Sequence, residues 1–191
     1  MPQYCIYLIS SLPMLQFGMK PPFSLGRFLK LCEGKISAED FSLLEKVSIS
    51  GDYIEGSPFS TLQRWRIFDT ALRNELVRIR AGRLQRDPEK YLHHDGYTDP
   101  SIARIAMNAH RNPSILEAER MLDEERWRML DELSFSHYFD IDFLVIYAYK
   151  LLILMRWDRI HPRLTQDQDD TERSEVSRAA DSSRMLEEIL K

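Results

Sequence analysis

The sequence predicts an all-α fold, a bundle of long and short helices around a buried C-terminal helix. Three features predict it. Apolar residues recur at three- and four-residue steps from Leu62 to Ile79, the stripe of a half-buried helix. A second line, Ile115, Leu122, Met129 and Leu133, has an acidic face opposite it. The stretch Phe143-Leu144-Val145-Ile146-Tyr147-Ala148-Tyr149 is apolar nearly all round, so a helix there needs neighbours on most sides. With 191 residues, 43% of them hydrophobic, the chain can bury about two-thirds of its unfolded surface around a core.

Taken in order, Tyr4 to Leu15 is a short apolar run that suits either a strand or a buried helix, because periodicity cannot separate the two over so few residues. Pro13 is a stop within it. A short helix follows from Pro22 or Ser24 to Cys32, with Leu25, Phe28, Leu29 and Leu31 as its apolar face and Gly34 as its end. Ser37-Ala38-Glu39-Asp40 resembles a capping arrangement ahead of Phe41, Leu44 and Val47 at helical spacing. Ser48 to Ser57, with Gly51 and Gly56, is a loop.

Pro58-Phe59-Ser60 then introduces the first long helix, whose inward stripe is Leu62, Trp65, Phe68, Leu72, Leu76 and Ile79. Asp87-Pro88 ends or kinks it, and Pro88 begins a further turn through Leu92. His93 to Pro100 is a polar loop, and Ser101 to His110 a short helix with Ile102, Ile105 and Ala106 inward. After Asn112-Pro113-Ser114 comes a long helix from about Ser114 to Leu133, a turn from Ser134 to Asp140, and a last helix from Ile141 to Ile160.

These elements make one helical domain over 1–162. Residues 163–184 form a flexible polar linker, since almost no apolar content offsets the entropy of ordering them. Residues 185–191 are a short amphipathic helix that needs a surface to dock on. No membrane span is expected, because the run from Phe143 to Met155 contains Lys150 and is shorter than the roughly 20 apolar residues a bilayer requires. Ile6 to Leu15 lacks the basic stretch of a secretory signal and reads as mature protein.

A net charge of -4 gives no general pull toward nucleic acid or anionic lipid. Cys5 and Cys32 fit neither a disulfide framework nor a zinc knuckle, and a reducing cytoplasm is the simplest home for them. There is no nucleophile elbow, phosphate-cradling loop or dinucleotide fingerprint. His93, His94, Asp95, Asp99 and His110 have the residue types for zinc or iron, but at spacings that read as a solvated loop. No catalytic residue, cofactor or metal ligand is therefore assigned, and the chain is expected to be non-enzymatic.

The strongest charge feature is the helix carrying Arg64, Arg66, Arg73, Arg78, Arg80, Arg83 and Arg86 against only Asp69 and Glu75. Such a face could bind phosphates, making a helical nucleic-acid-binding or regulatory protein the alternative function. Trp65, however, aligns with Leu72 and Ile79 as a core residue, and the acidic helix is an internal partner of the right sign. The candidate partner-binding residues are Arg66, Arg73, Arg80, Arg83 and Arg86 with Glu117, Asp123 and Glu124. Those acids are expected to be solvated, with Arg120, Arg126 and Arg128 pairing inside the helix.

Tyr7-Leu8, Ser11-Leu12-Pro13-Met14-Leu15, Pro21-Pro22-Phe23-Ser24-Leu25 and Phe28-Leu29 together resemble the opening of an uncharacterised bacterial family associated with V/A-type ATPases. Its members resemble the C (also called d) subunit of the central stalk. The stretch from Ile146 to Trp157, with Tyr147-Ala148-Tyr149-Lys150, is similar to that subunit's late helix. The resemblance implies an all-helical, non-catalytic adaptor between the rotating shaft and the membrane ring of a proton- or sodium-translocating ATPase. Its partners would be other subunits of the stalk or ring, and its place the cytoplasm, peripheral to the inner membrane.

Overall fold

A computed structural model of the chain describes residues 4–47, 60–93, 99–135 and 137–160, and every regular element among them is a helix. The all-α expectation holds. The predicted loop over 48–57, the linker over 163–184 and the helix over 185–191 lie outside the described residues. The chain divides into two compact units, Met1–Leu154 and Met155–Lys191. The second is described only over 155–160, which are helical, with Arg159 Nε donating to the Met155 carbonyl. Among the described residues, no helix is long and apolar enough to cross a membrane.

The open N-terminal element is a helix, α1 (Tyr4–Ser11), with Leu8 and Ile9 buried and Ile6 and Tyr7 exposed. The Ser11 hydroxyl donates to the Leu8 carbonyl at 2.6 Å, and Pro13 follows where the helix cannot continue. Helix α2 (Leu25–Cys32) starts at Ser24 rather than Pro22. The Ser24 hydroxyl accepts the Arg27 amide, satisfying one of the orphan donors of the first turn. The helix buries Phe28 and Cys32 and gives way to Gly34 at φ +69°, a left-handed position that favours glycine. Helix α3 (Ala38–Glu45) is capped by Ser37, which accepts the Asp40 amide, and it buries Leu44.

Helix α4 (Ser60–Arg83) has 24 residues, a rod of roughly 36 Å at helical rise. Leu62, Trp65, Phe68 and Leu72 are buried as the stripe predicts, whereas Leu76 and Ile79 are half-buried. The helix ends before Asp87-Pro88. The Arg86 amide donates to the Ala81 carbonyl and the Gln85 amide to Gly82, a Schellman closure with Gln85 at φ 52°. Asp87 caps a 3-10 turn, Pro88–Tyr91, and the chain is then tied back to α4. There the buried Asn74 side chain donates to the His93 carbonyl at 2.8 Å and accepts the His93 amide at 2.9 Å.

Helix α5 (Pro100–Arg111) begins with Asp99 as cap and proline in its first turn, and it buries Ile102, Ala106 and Ala109. It packs on α4 and on α6 (Ile115–Ser134), and α4 also touches α6. The buried line of α6 differs from the predicted one. Leu122 and Leu133 are buried, Met129 is half-buried, and Ile115, in the first turn, is 82% exposed. Trp127 and Leu130 replace them. Trp127 is buried on a second flank, with Phe17 edge-on at 5.6 Å and the Lys150 ammonium 5.5 Å from its ring centre.

The last helix, α7, spans 141–160 and has Leu144 through Tyr149 buried without interruption. That is the surrounded centre expected from its all-round apolarity. On one flank Tyr147 meets Phe28 at 5.2 Å, Phe23 at 6.3 Å and Phe143 at 6.4 Å, and its hydroxyl donates to the Pro13 carbonyl at 2.9 Å. This cluster fastens the N-terminal third. On the other flank Tyr149 meets Trp65 of α4 at 5.0 Å.

Candidate functional site

The α4–α6 contact is held by charge as well as by apolar packing. Arg126 of α6 donates from Nε to Asp69 Oδ1 of α4 and from a terminal nitrogen to Asp123 Oδ1, both at 2.8 Å. Asp69 Oδ2 accepts Arg73 Nε, also at 2.8 Å. Asp69, Asp123 and Arg126 are all buried. Burial works against the Arg126 charge, but the attraction of Asp69 and then Asp123, with their hydrogen bonds, holds its pKa above the usual arginine value. Buried groups matched in this way lock two helices in register, and loss of one member unbalances the buried charge.

This network revises the expected division of charge. The buried cross-helix pair runs from an arginine of the acidic helix to an acid of the arginine helix, opposite to the sense predicted. Arg73 and Arg78 pair within α4, with Asp69 and Glu75. Asp123 is only 1% exposed, so it is no part of a solvated acidic surface and cannot meet a partner. Helical spacing put it on the outer face, but α4 covers that azimuth. The within-helix pairs are present: Arg120 with Glu124, Arg126 with Asp123, and Arg128 with Glu125 and Glu132.

Of the remaining candidate contact residues, Glu117 and Glu124 are exposed on α6, and Arg66 and Arg73 are half-buried on α4. Arg80, Arg83 and Arg86 are exposed at the end of α4 and its cap, and none has an ion-pair partner among the described residues. Trp65 is buried against Phe68 and Tyr149, which removes it as a stacking platform for bases. His94 and Asp95 lie outside the described residues. His93 is held by its backbone to Asn74, and His110 is half-buried on α5. Cys32 is buried.

Cavities of ligand-like size open among the described residues of this unit. One, of about 380 Å³, lies where the start of α5 meets α4 and α6, with Arg64, Asp99, Arg128 and Glu132 in its wall. Another, of about 390 Å³, is walled by Leu12, Pro13, Met14, Phe143 and Tyr147. At its edge Lys150 donates to Asp131 at 2.6 Å.

A polar cluster that the sequence reading passes over as a turn sits where α6 gives way to α7. Asp140 caps α7, its Oδ1 accepting the Phe143 amide at 3.0 Å, and its Oδ2 lies 2.6 Å from His137 Nδ1. Asp142 Oδ2 is 3.8 Å from the same nitrogen. The other imidazole nitrogen, Nε2, is 3.4 Å from the hydroxyl of Thr61 on α4. The only signal in the sequence is the spacing His-x-x-Asp-x-Asp before an apolar helix. No protein-family model matches this chain, and no curated protein or solved structure matches it either.

Proposed function

We propose that the chain is a non-catalytic adaptor that works by docking on other proteins, and specifically a subunit or accessory factor of a V/A-type rotary ATPase, similar to the central-stalk C (d) subunit. It would act in the cytoplasm, peripheral to the inner membrane, among the stalk or ring subunits. Supporting this are the ordered N-terminal residues that resemble the associated family and the all-helical build of the described residues.

The observation that carries the docking role is the group Arg80, Arg83 and Arg86, three exposed arginines at one end of α4 without ion-pair partners among the described residues. Cations at a helix C-terminus gain about 0.3–1 kcal/mol from the macrodipole, which accounts for one of them more readily than for three together. They suit an acidic protein surface, where arginine forms paired hydrogen bonds with carboxylates. Farther along the same helix, the Asp69–Arg126–Asp123 network ties α4 to α6.

The Arg83→Glu/Arg86→Glu double variant is expected to lose association with stalk or ring subunits, while its helical circular dichroism stays that of the wild-type chain. Association should also weaken as salt rises. Unchanged binding by the charge-reversed chain would remove these arginines from the interface.

A further inference from the structure

We propose that His137, Asp140 and Asp142 form a binding site for a divalent transition-metal cation, with zinc the best match. The inference goes beyond the adaptor reading and stands without it. Among the described residues these three form a group whose potential ligand atoms all lie within 4.8 Å of one another, each residue being half-buried. One imidazole with two carboxylates is a donor set that zinc accepts, and partial burial leaves room for water to complete the shell.

Three independent observations carry the assignment. The first is an orphan. Asp142 Oδ1 is shut off from solvent with no hydrogen-bond partner, and it stands alone in this among the side-chain atoms of the described residues. A buried carboxylate oxygen left without a donor is costly, and a cation on that carboxylate relieves the cost.

The second is charge. Asp69 and Asp123 face the guanidinium of Arg126, but neither Asp140 nor Asp142 has a lysine or arginine ion-pair partner among the described residues. Two carboxylates share a single imidazole. The Asp140 carboxylate covers the positive end of α7 through Oδ1 and the Phe143 amide, so Oδ2, on the His137 side, and Asp142 remain to attract a cation.

The third is geometry. Metal–ligand bonds of about 2.0–2.1 Å arranged tetrahedrally put neighbouring donors about 3.3 Å apart. His137 Nδ1 stands 3.8 Å from Asp142 Oδ2 and 2.6 Å from Asp140 Oδ2, on either side of that spacing. Binding at Nδ1 leaves the ring proton on Nε2, which faces the Thr61 hydroxyl at 3.4 Å. A ligating histidine characteristically donates its second N–H to such a group. The cation would join the α6–α7 turn to α4 through this contact.

The test uses the full chain, freed of any affinity tag and of metal by chelation, titrated with zinc chloride and separately with manganese chloride. One equivalent of zinc is expected to bind and to raise the unfolding temperature. Asp142→Asn and His137→Gln should each weaken zinc binding about tenfold or more, with circular dichroism unchanged. No zinc uptake, or uptake that both variants leave unaltered, overturns the proposal. Should either variant fail to fold, X-ray absorption of the zinc-loaded wild-type chain decides: one imidazole with oxygen ligands supports the site, and sulfur or several imidazoles in the shell refute it.

Discussion

Arg126 serves two buried carboxylates at once, and its removal would withdraw the guanidinium that faces both. Arg126→Met is therefore expected to destabilise the fold by about 3–5 kcal/mol in urea unfolding, the range for stranding a buried charge. Arg126→Met/Asp123→Leu should recover part of that loss, because one of the two buried carboxylates goes with it. A single variant as stable as wild type would mean that the network contributes nothing. At this scale the sequence is least legible. Asp123 lies between Glu119 and Glu124 and shares their solvated look, since the periodicity of one helix does not say which azimuth a second helix covers. Its partner Arg126 reaches Asp69, 57 positions before that arginine. The His137 cluster is equally opaque, because its three side chains converge only once Asp140 caps the start of α7.

Helix boundaries, by contrast, are written in local chemistry. Ser24, Ser37, Asp99 and Ser114 each accept an amide of the following turn, and the proline and glycine stops at Pro13 and Gly34 act where the residue types place them. Capping needs no distant partner, which is why Ser37 is recognisable from four residues. The end of α4 is the exception, since it closes on Gln85 in a left-handed conformation where glycine is the usual occupant. Gln85 is exposed, so nothing is packed against it that glycine would forfeit. Gln85→Gly should stabilise the chain by about 1 kcal/mol, read as a higher urea midpoint. A lower midpoint would show that the closure is not strained. Helix α1 escapes a sequence reading because eight apolar-rich residues carry no resolvable period, and burial of Leu8 and Ile9 beneath other elements decides its form.

At the scale of the whole molecule, the placing of α7 at the centre is legible, because a stretch apolar on every side is stable only when surrounded. What the pattern withholds is how the flanks divide, with Tyr147 holding the N-terminal third and Tyr149 holding α4. This centre makes the fold sensitive to alkali. Burial pushes the Tyr147 phenol up to about 12, and Tyr149 is pushed up by burial first and then by the Asp69 charge. Above a pH of about 10 the unfolded chain releases these protons while the folded chain keeps them, so stability is whole below that point and falls toward pH 12. Urea midpoints at pH 9 and pH 11 should show the fall, and Tyr149→Phe should lessen it; a flat profile would contradict the burial of these hydroxyls. The central claim, that this rigid unit docks on a rotary ATPase, is tested most directly by affinity purification of the tagged full chain from its native cell at moderate salt, read by mass spectrometry. The account predicts recovery of stalk or ring subunits of a V/A-type ATPase, lost from the Arg83→Glu/Arg86→Glu chain. An eluate of nucleic acid, or one without those subunits, would contradict it.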